Sequence, residues 1–247
     1  SGTFINKGTA NVRTDLTVDT VTNNGTLNVA GDITSTNGVT LGSDSTLTLD
    51  NDVSGLQNVD ANIDGDGSID VNLTSGATFN AAIGANSEVG SLTVTGGPTT
   101  LANTSHIVDV IVADGNTLTN TDMLTVSGGI SNPLGMGGAA EIDNQGTLTL
   151  NGATNPATND ATINNNGDLV IESNLDNTGG TIDLAKSGST TVDIREFTAD
   201  ETVISGGTVK VTGNAELKVS SLLNGGETVT LADSDITGGG TVEIADS

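Results

Sequence analysis

The stretch best suited to hold a metal ion is Asn62-Ile63-Asp64-Gly65-Asp66-Gly67-Ser68-Ile69-Asp70, where side-chain oxygens alternate with Gly and apolar residues. Ca²⁺ is a hard cation that takes roughly six to eight oxygen ligands, and loops that bind it supply carboxylates at alternate positions, then a Gly, then a buried apolar residue. Asn62, Asp64, Asp66 and Asp70 are the candidate ligands. The match is partial. Asn62 stands where such loops begin with Asp, and Leu73 holds the place of the closing bidentate Glu. The same residues also read as a corner between two strands, with Ile63 ending one and Ser68-Ile69-Asp70-Val71 forming the next. Asp50, Asn51, Asp52 and Asp60 lie close by in the chain.

Other chemistry has less to work with. His106 is the sole histidine and there is no cysteine, which leaves no zinc set, thiol nucleophile or disulfide framework. Asp193, Arg195 and Glu196 would suit cleavage of an acidic polysaccharide, which needs paired carboxylates. Such enzymes also stack sugars on aromatic rings. Here there is no Trp or Tyr, and the only Phe are Phe4, Phe79 and Phe197. The chain is therefore expected to be non-catalytic, with a polysaccharide-degrading enzyme as the minor alternative. A flat Thr ladder for binding ice is a further reading. Thr17, Thr48, Thr93, Thr125 and Thr149 fall at outward positions, but Asp183, Asp193, Lys210, Lys218 and Glu243 interrupt the series after Leu150.

The net charge is −25, from 31 acidic and 6 basic residues in 247. That field repels nucleic acid and anionic membranes and favours cations or basic partners. No apolar run approaches the length of a membrane span, so no membrane insertion of this segment is expected. With so few aromatics, Val, Leu and Ile must build the core, and their branched side chains stack well on pleated surfaces.

They recur with a pattern. Val21-Thr22-Asn23-Asn24-Gly25-Thr26-Leu27-Asn28-Val29 is echoed by Ile142-Asp143-Asn144-Gln145-Gly146-Thr147-Leu148-Thr149-Leu150 and by Ile163-Asn164-Asn165-Asn166-Gly167-Asp168-Leu169-Val170-Ile171. Ile204 to Val211 and Ile236 to Ile244 are variants of it. Apolar-polar-apolar is a short strand with one buried face. The Gly before it is expected at positive φ in a sharp corner, and the Asn residues tolerate that region and bond their own backbone.

No stretch has helical spacing. Short strands joined by short corners are parallel only if the chain coils on itself, which predicts an all-β, single-stranded parallel β-helix, a β-solenoid. Repeat spacings of roughly 17 to 23 residues suit a three-sided coil, about 12 turns in all, in a rod on the order of 55 Å long. One domain is expected over 1–247, with irregular loops near 74–90, 131–140 and 151–160, where the alternation lapses around Pro133 and Pro156.

The Asn-Asn-Gly-Thr-Leu-x-Val and Gly-Gly-Thr-Val-x-Ile repeats resemble autotransporter passenger domains and filamentous-haemagglutinin-like adhesins. The resemblance is clearest over 1–50 and 142–247. It implies a right-handed coil and a secreted or surface location on a bacterium, and carries no catalytic residues with it. The expected function is a stalk or filament subunit that self-associates end to end through open strand edges. The alternative is an adhesin that binds a glycan or host protein through loops leaving the coil.

Overall fold

Each apolar-polar-apolar triplet forms a strand, and each strand lies in register on its equivalent one coil away. The computed structural model describes residues 2–50, 55–133, 140–152, 157–173 and 175–184, and beyond these the backbone of the strands from Thr191–Ile194 to Thr241–Ala245. None of the described residues is helical, and every strand pairing among them is parallel. The chain is a three-sided β-solenoid.

The first coil sets the three sides, with Thr3–Asn6 on the first, Thr9–Val12 on the second and Leu16–Val18 on the third. Thr20–Asn23, Thr26–Val29 and Ile33–Ser35 repeat them one coil on. The third side continues through eleven strands to Asp235–Thr237, and Thr241–Ala245 adds a first-side strand beyond it. Eight windings separate Thr3–Asn6 from Asp168–Ile171. Midway, Ser105–Val112 and Met123–Ser131 run through the corner between the first and second sides, with a register shift between Ile107 and Asp109. This flattens the corner and joins the two sides into one sheet.

Inward side chains stack into columns. On the second side Leu27, Leu47, Ile69, Leu92, Val110 and Ile130 are successive partners, all at 0% exposure. Period two puts these residues inside and Asn28, Thr48, Asp70 and Thr93 outside. Burying one such aliphatic side chain contributes about 1.5–3 kcal/mol, and the column places each in contact with its equivalents above and below.

The corners use buried asparagine. At the end of a strand the Asn side chain turns inward and its Nδ2 donates in two directions. One bond goes to a carbonyl two residues ahead, as Asn144 Nδ2 does to Gly146 O. Another goes to the equivalent Asn of the next coil. Such ladders occupy all three corners: Asn6–Asn23, Asn159–Asn177 and Asn120–Asn144–Asn165. Buried amides of this kind persist because their donors are satisfied.

Glycine at these corners has a different role from the one expected. Gly25, Gly146 and Gly167 are not at positive φ. A Cβ on any of them would instead overlap a carbonyl oxygen of the preceding coil, at Gly8, Asp122 and Gly146 respectively. Close stacking of backbones excludes the side chain. The repeats that look alike also build different corners. Val21–Val29 turns from the first side to the second, whereas Ile142–Leu150 and Ile163–Ile171 turn from the third to the first.

Of the stretches expected to be irregular, 74–90 belongs largely to the coil. Ala77–Phe79 is a third-side strand, Ile83 is buried and bridges Ile63 to Ser105, and Val89 begins the next strand. In 131–140 and 151–160, Ser131, Asn151 and the strand Ala157–Asn159 are part of the coil, while 134–139 and 153–156 lie outside the described residues.

Candidate functional site

The chain turns a corner in the middle of the expected calcium loop. Asn62 sits where the third side gives way to the first, Asp64 ends the first-side strand Ile63–Asp64, and Asp66 is at the corner. Asp70 lies on the second side in Ser68–Asn72. Gly65 makes the turn at φ 109°, which only a residue without a side chain adopts freely.

These oxygens serve the next coil. Asn62 Oδ1 accepts the Ala82 N–H at 3.1 Å. Asp64 Oδ1 accepts the Asn86 and Ser87 N–H groups at 2.7 and 3.3 Å, and its Oδ2 accepts Asn86 Nδ2 at 2.9 Å. Asp66 Oδ1 accepts the Ser87 hydroxyl at 3.4 Å. Among the described residues no three His, Cys, Asp or Glu side chains stand close enough together to hold a metal ion.

The same use of acidic side chains recurs along the rod. Asp15 Oδ1 accepts the Asp32 N–H at 3.0 Å, Asp32 Oδ1 accepts the Asn58 N–H at 2.7 Å, and Asp109 Oδ1 accepts the Gly129 N–H at 3.1 Å. At each of these places a carboxylate from the coil before accepts a backbone N–H of the coil that follows. A buried N–H must find some acceptor. Part of the acidic excess is therefore structural, which composition alone does not reveal. The Asp-Gly corners at 64–65 and 66–67 carried that signal, read there as metal ligands.

Asp70 differs from the corner acids. It stands between Thr48 and Thr93 in an outward column of the second side. Burial pushes its carboxyl above the ordinary carboxylate value, and the Thr93 hydroxyl partly opposes this. Asp176 is lowered by the Thr178 hydroxyl and backbone N–H.

His106 is outward and half-buried on Ser105–Val112, in register with Thr125. Asp193 lies on the strand Thr191–Ile194, while Arg195 and Glu196 fall outside the described residues. The outward Thr positions are divided among the sides, with Thr17 on the third, Thr48 and Thr93 on the second, and Thr125 and Thr149 on the first. They do not form one ladder. No described helix is long and apolar enough to cross a membrane. No family model, curated protein or solved structure matches this chain.

Proposed function

We propose that this chain is a non-catalytic structural rod, a stalk or filament segment exposed outside a bacterial cell and akin to autotransporter passengers and haemagglutinin-like adhesins. The observation that carries this reading is the unbroken in-register inner column from Leu27 to Ile130, with buried amide ladders at the corners. Every coil is locked to the next by backbone bonds and by like-on-like packing. A molecule built this way resists bending and extends along one axis. Its outer faces of Thr, Asn and Asp stay hydrated.

Coils of this kind also add to one another. Any coil that ends such a stack presents unpaired strand edges, and in the first described coil the inward Phe4, Ala10, Val12 and Val18 are only partly buried. Open edges recruit further strands. A coil from a second copy, laid on in register, would cover these residues and lengthen the rod. Sedimentation and negative-stain microscopy over a concentration series test this. Rods that lengthen with concentration support it, and short monomers at every concentration contradict it.

The second reading is adhesion to a glycan or host protein. It draws on Gly129–Ile130 pairing with Thr158–Asn159, a strand pair close in sequence to Pro133 and Pro156, where the apolar alternation lapses. Deleting 134–139 should then abolish binding to a glycan array while far-ultraviolet circular dichroism stays unchanged.

A further inference from the structure

Four Asn-Gly pairs lie among the described residues, at 24–25, 37–38, 151–152 and 166–167. In such a pair the glycine nitrogen is the backbone nucleophile next to the asparagine side-chain carbonyl, and the missing Cβ leaves its approach unhindered. A hydrogen bond on the glycine N–H, or an asparagine amide that is packed or anchored, holds the pair inert.

The fold restrains three of the four. The Gly25 N–H donates to Asn23 Oδ1 at 3.3 Å, and the Asn24 side chain lies against Gly42. The Gly152 N–H donates to Ser173 Oγ at 2.8 Å, and Asn151 Oδ1 is buried. Asn166 is half-buried, and its Nδ2 donates to the Asp143 carboxylate at 3.0 Å. The charge of Asp143 also opposes a second carboxylate at that place.

Asn37 is different. It is exposed, and its amide makes one bond, from Nδ2 to Thr20 Oγ1 at 3.3 Å. Gly38 turns the corner at φ 87°, against the Asn62 carbonyl. Its own carbonyl accepts the Val21 N–H at 3.1 Å and the Ser35 hydroxyl at 3.0 Å, while among the described residues no acceptor takes its N–H. The corner is held through the oxygen of Gly38, and its nitrogen is left free to react.

We propose that Asn37 is a self-modifying site, converted by Gly38 to aspartate and β-linked aspartate. Gly38 N forms a bond to Asn37 Cγ, the Cγ–Nδ2 bond breaks, and Nδ2 leaves as ammonia with the proton that Gly38 N gives up. Water then adds to either carbonyl of the five-membered imide and opens it. One opening gives ordinary aspartate. The other routes the main chain through the side chain and lengthens it by one carbon, at the corner that Val21 and Ser35 bond. Either way the rod gains a negative charge. The proposal does not depend on the rod's function.

The test holds the folded 247-residue chain at mildly alkaline pH beside a sample unfolded in guanidinium, then digests both at acidic residues for mass spectrometry. Cutting after Asp32 and Asp44 frees 33–44, in which Asn37 is the only asparagine. In the folded chain Asn37 should convert at least about tenfold faster than Asn24, Asn151 or Asn166. An isoaspartyl methyltransferase should label the β-linked product in that peptide. In guanidinium the four rates should draw together, because local sequence alone then sets them. Equal rates at the four pairs in the folded chain would overturn the proposal. So would an Asn37 that stays intact while the unfolded chain converts, or a lead that is just as large in guanidinium.

Discussion

Asn144 Nδ2 donates to Asn165 Oδ1 at 2.6 Å across one coil, with both side chains at 0% exposure. Asn144 in turn accepts from Asn120 at 2.8 Å. Each amide in this row is both donor and acceptor, except the first. Asn120 follows Leu101 in the column, and its Oδ1 is buried without a partner.

That asymmetry ranks two substitutions. Asn144→Ala severs the ladder in both directions and leaves the carbonyls of Gly146 and Asp168 short of a donor. It should cost about 2–5 kcal/mol, the sum of lost bonds and a cavity. Asn120→Ala should cost less, because it also removes an acceptor that is already unsatisfied. Urea unfolding of both variants checks the order.

Glycine gives a paired control. Gly25 and Gly8 occupy the same corner in successive coils, and Gly25 stacks on the Gly8 carbonyl. Gly25→Ala forces a Cβ onto the Gly8 carbonyl oxygen and should destabilise by about 1–3 kcal/mol. In the 247-residue chain a Cβ at Gly8 would meet nothing, and there Gly8→Ala should stay within about 0.5 kcal/mol of the parent. Melting curves of the two variants decide it.

Much of the coil was readable from the residues. Thr26-Leu27-Asn28-Val29 announces a strand with Leu27 and Val29 inside, and both are fully buried. The order of corners was not readable, because Asn-x-Gly-Thr/Asp-apolar satisfies the same local bonds at any of the three. Only the count of residues around a whole coil, which varies with the loops, sets which corner a repeat makes. The role of Gly25 was hidden for a related reason: its clash partner, Gly8, is a coil away. The sequence shows the Asp64 oxygens but not Asn86, the hydrogen-bond partner 22 residues on.

Core truncation tests the column itself. Leu92→Ala, between Ile69 and Val110, should cost about 2–5 kcal/mol, while its outward neighbour Thr93→Ala should cost about 0.5 kcal/mol or less. Equal effects at the two positions would contradict the inward assignment.

Asp70 gives a pH dependence of known sign. Its folded pKa is raised above the ordinary 3.8, so the folded state holds the proton more tightly than the unfolded chain does. Stability from this group is present below the unfolded value and is lost as pH rises through the folded value. Asp70→Asn should therefore raise Tm at neutral pH, by a margin of about 0.5 kcal/mol at most for this half-exposed position. The difference should vanish below the unfolded value. Paired melts across pH measure it, and a variant less stable than the parent at neutral pH would refute it.

The winding is tested most directly by distances along one column. The chain has no cysteine, so spin labels can be placed at will. Thr9, Thr26, Thr46, Ser68, Ser91 and Asp109 are successive partners on the second side. With Thr9→Cys paired in turn with Ser68→Cys, Ser91→Cys and Asp109→Cys, pulsed electron resonance should give separations of about 14, 19 and 24 Å, one strand spacing per coil. Separations that fail to rise with each coil, or that fold back toward a shorter value, would show that the chain does not wind in one direction.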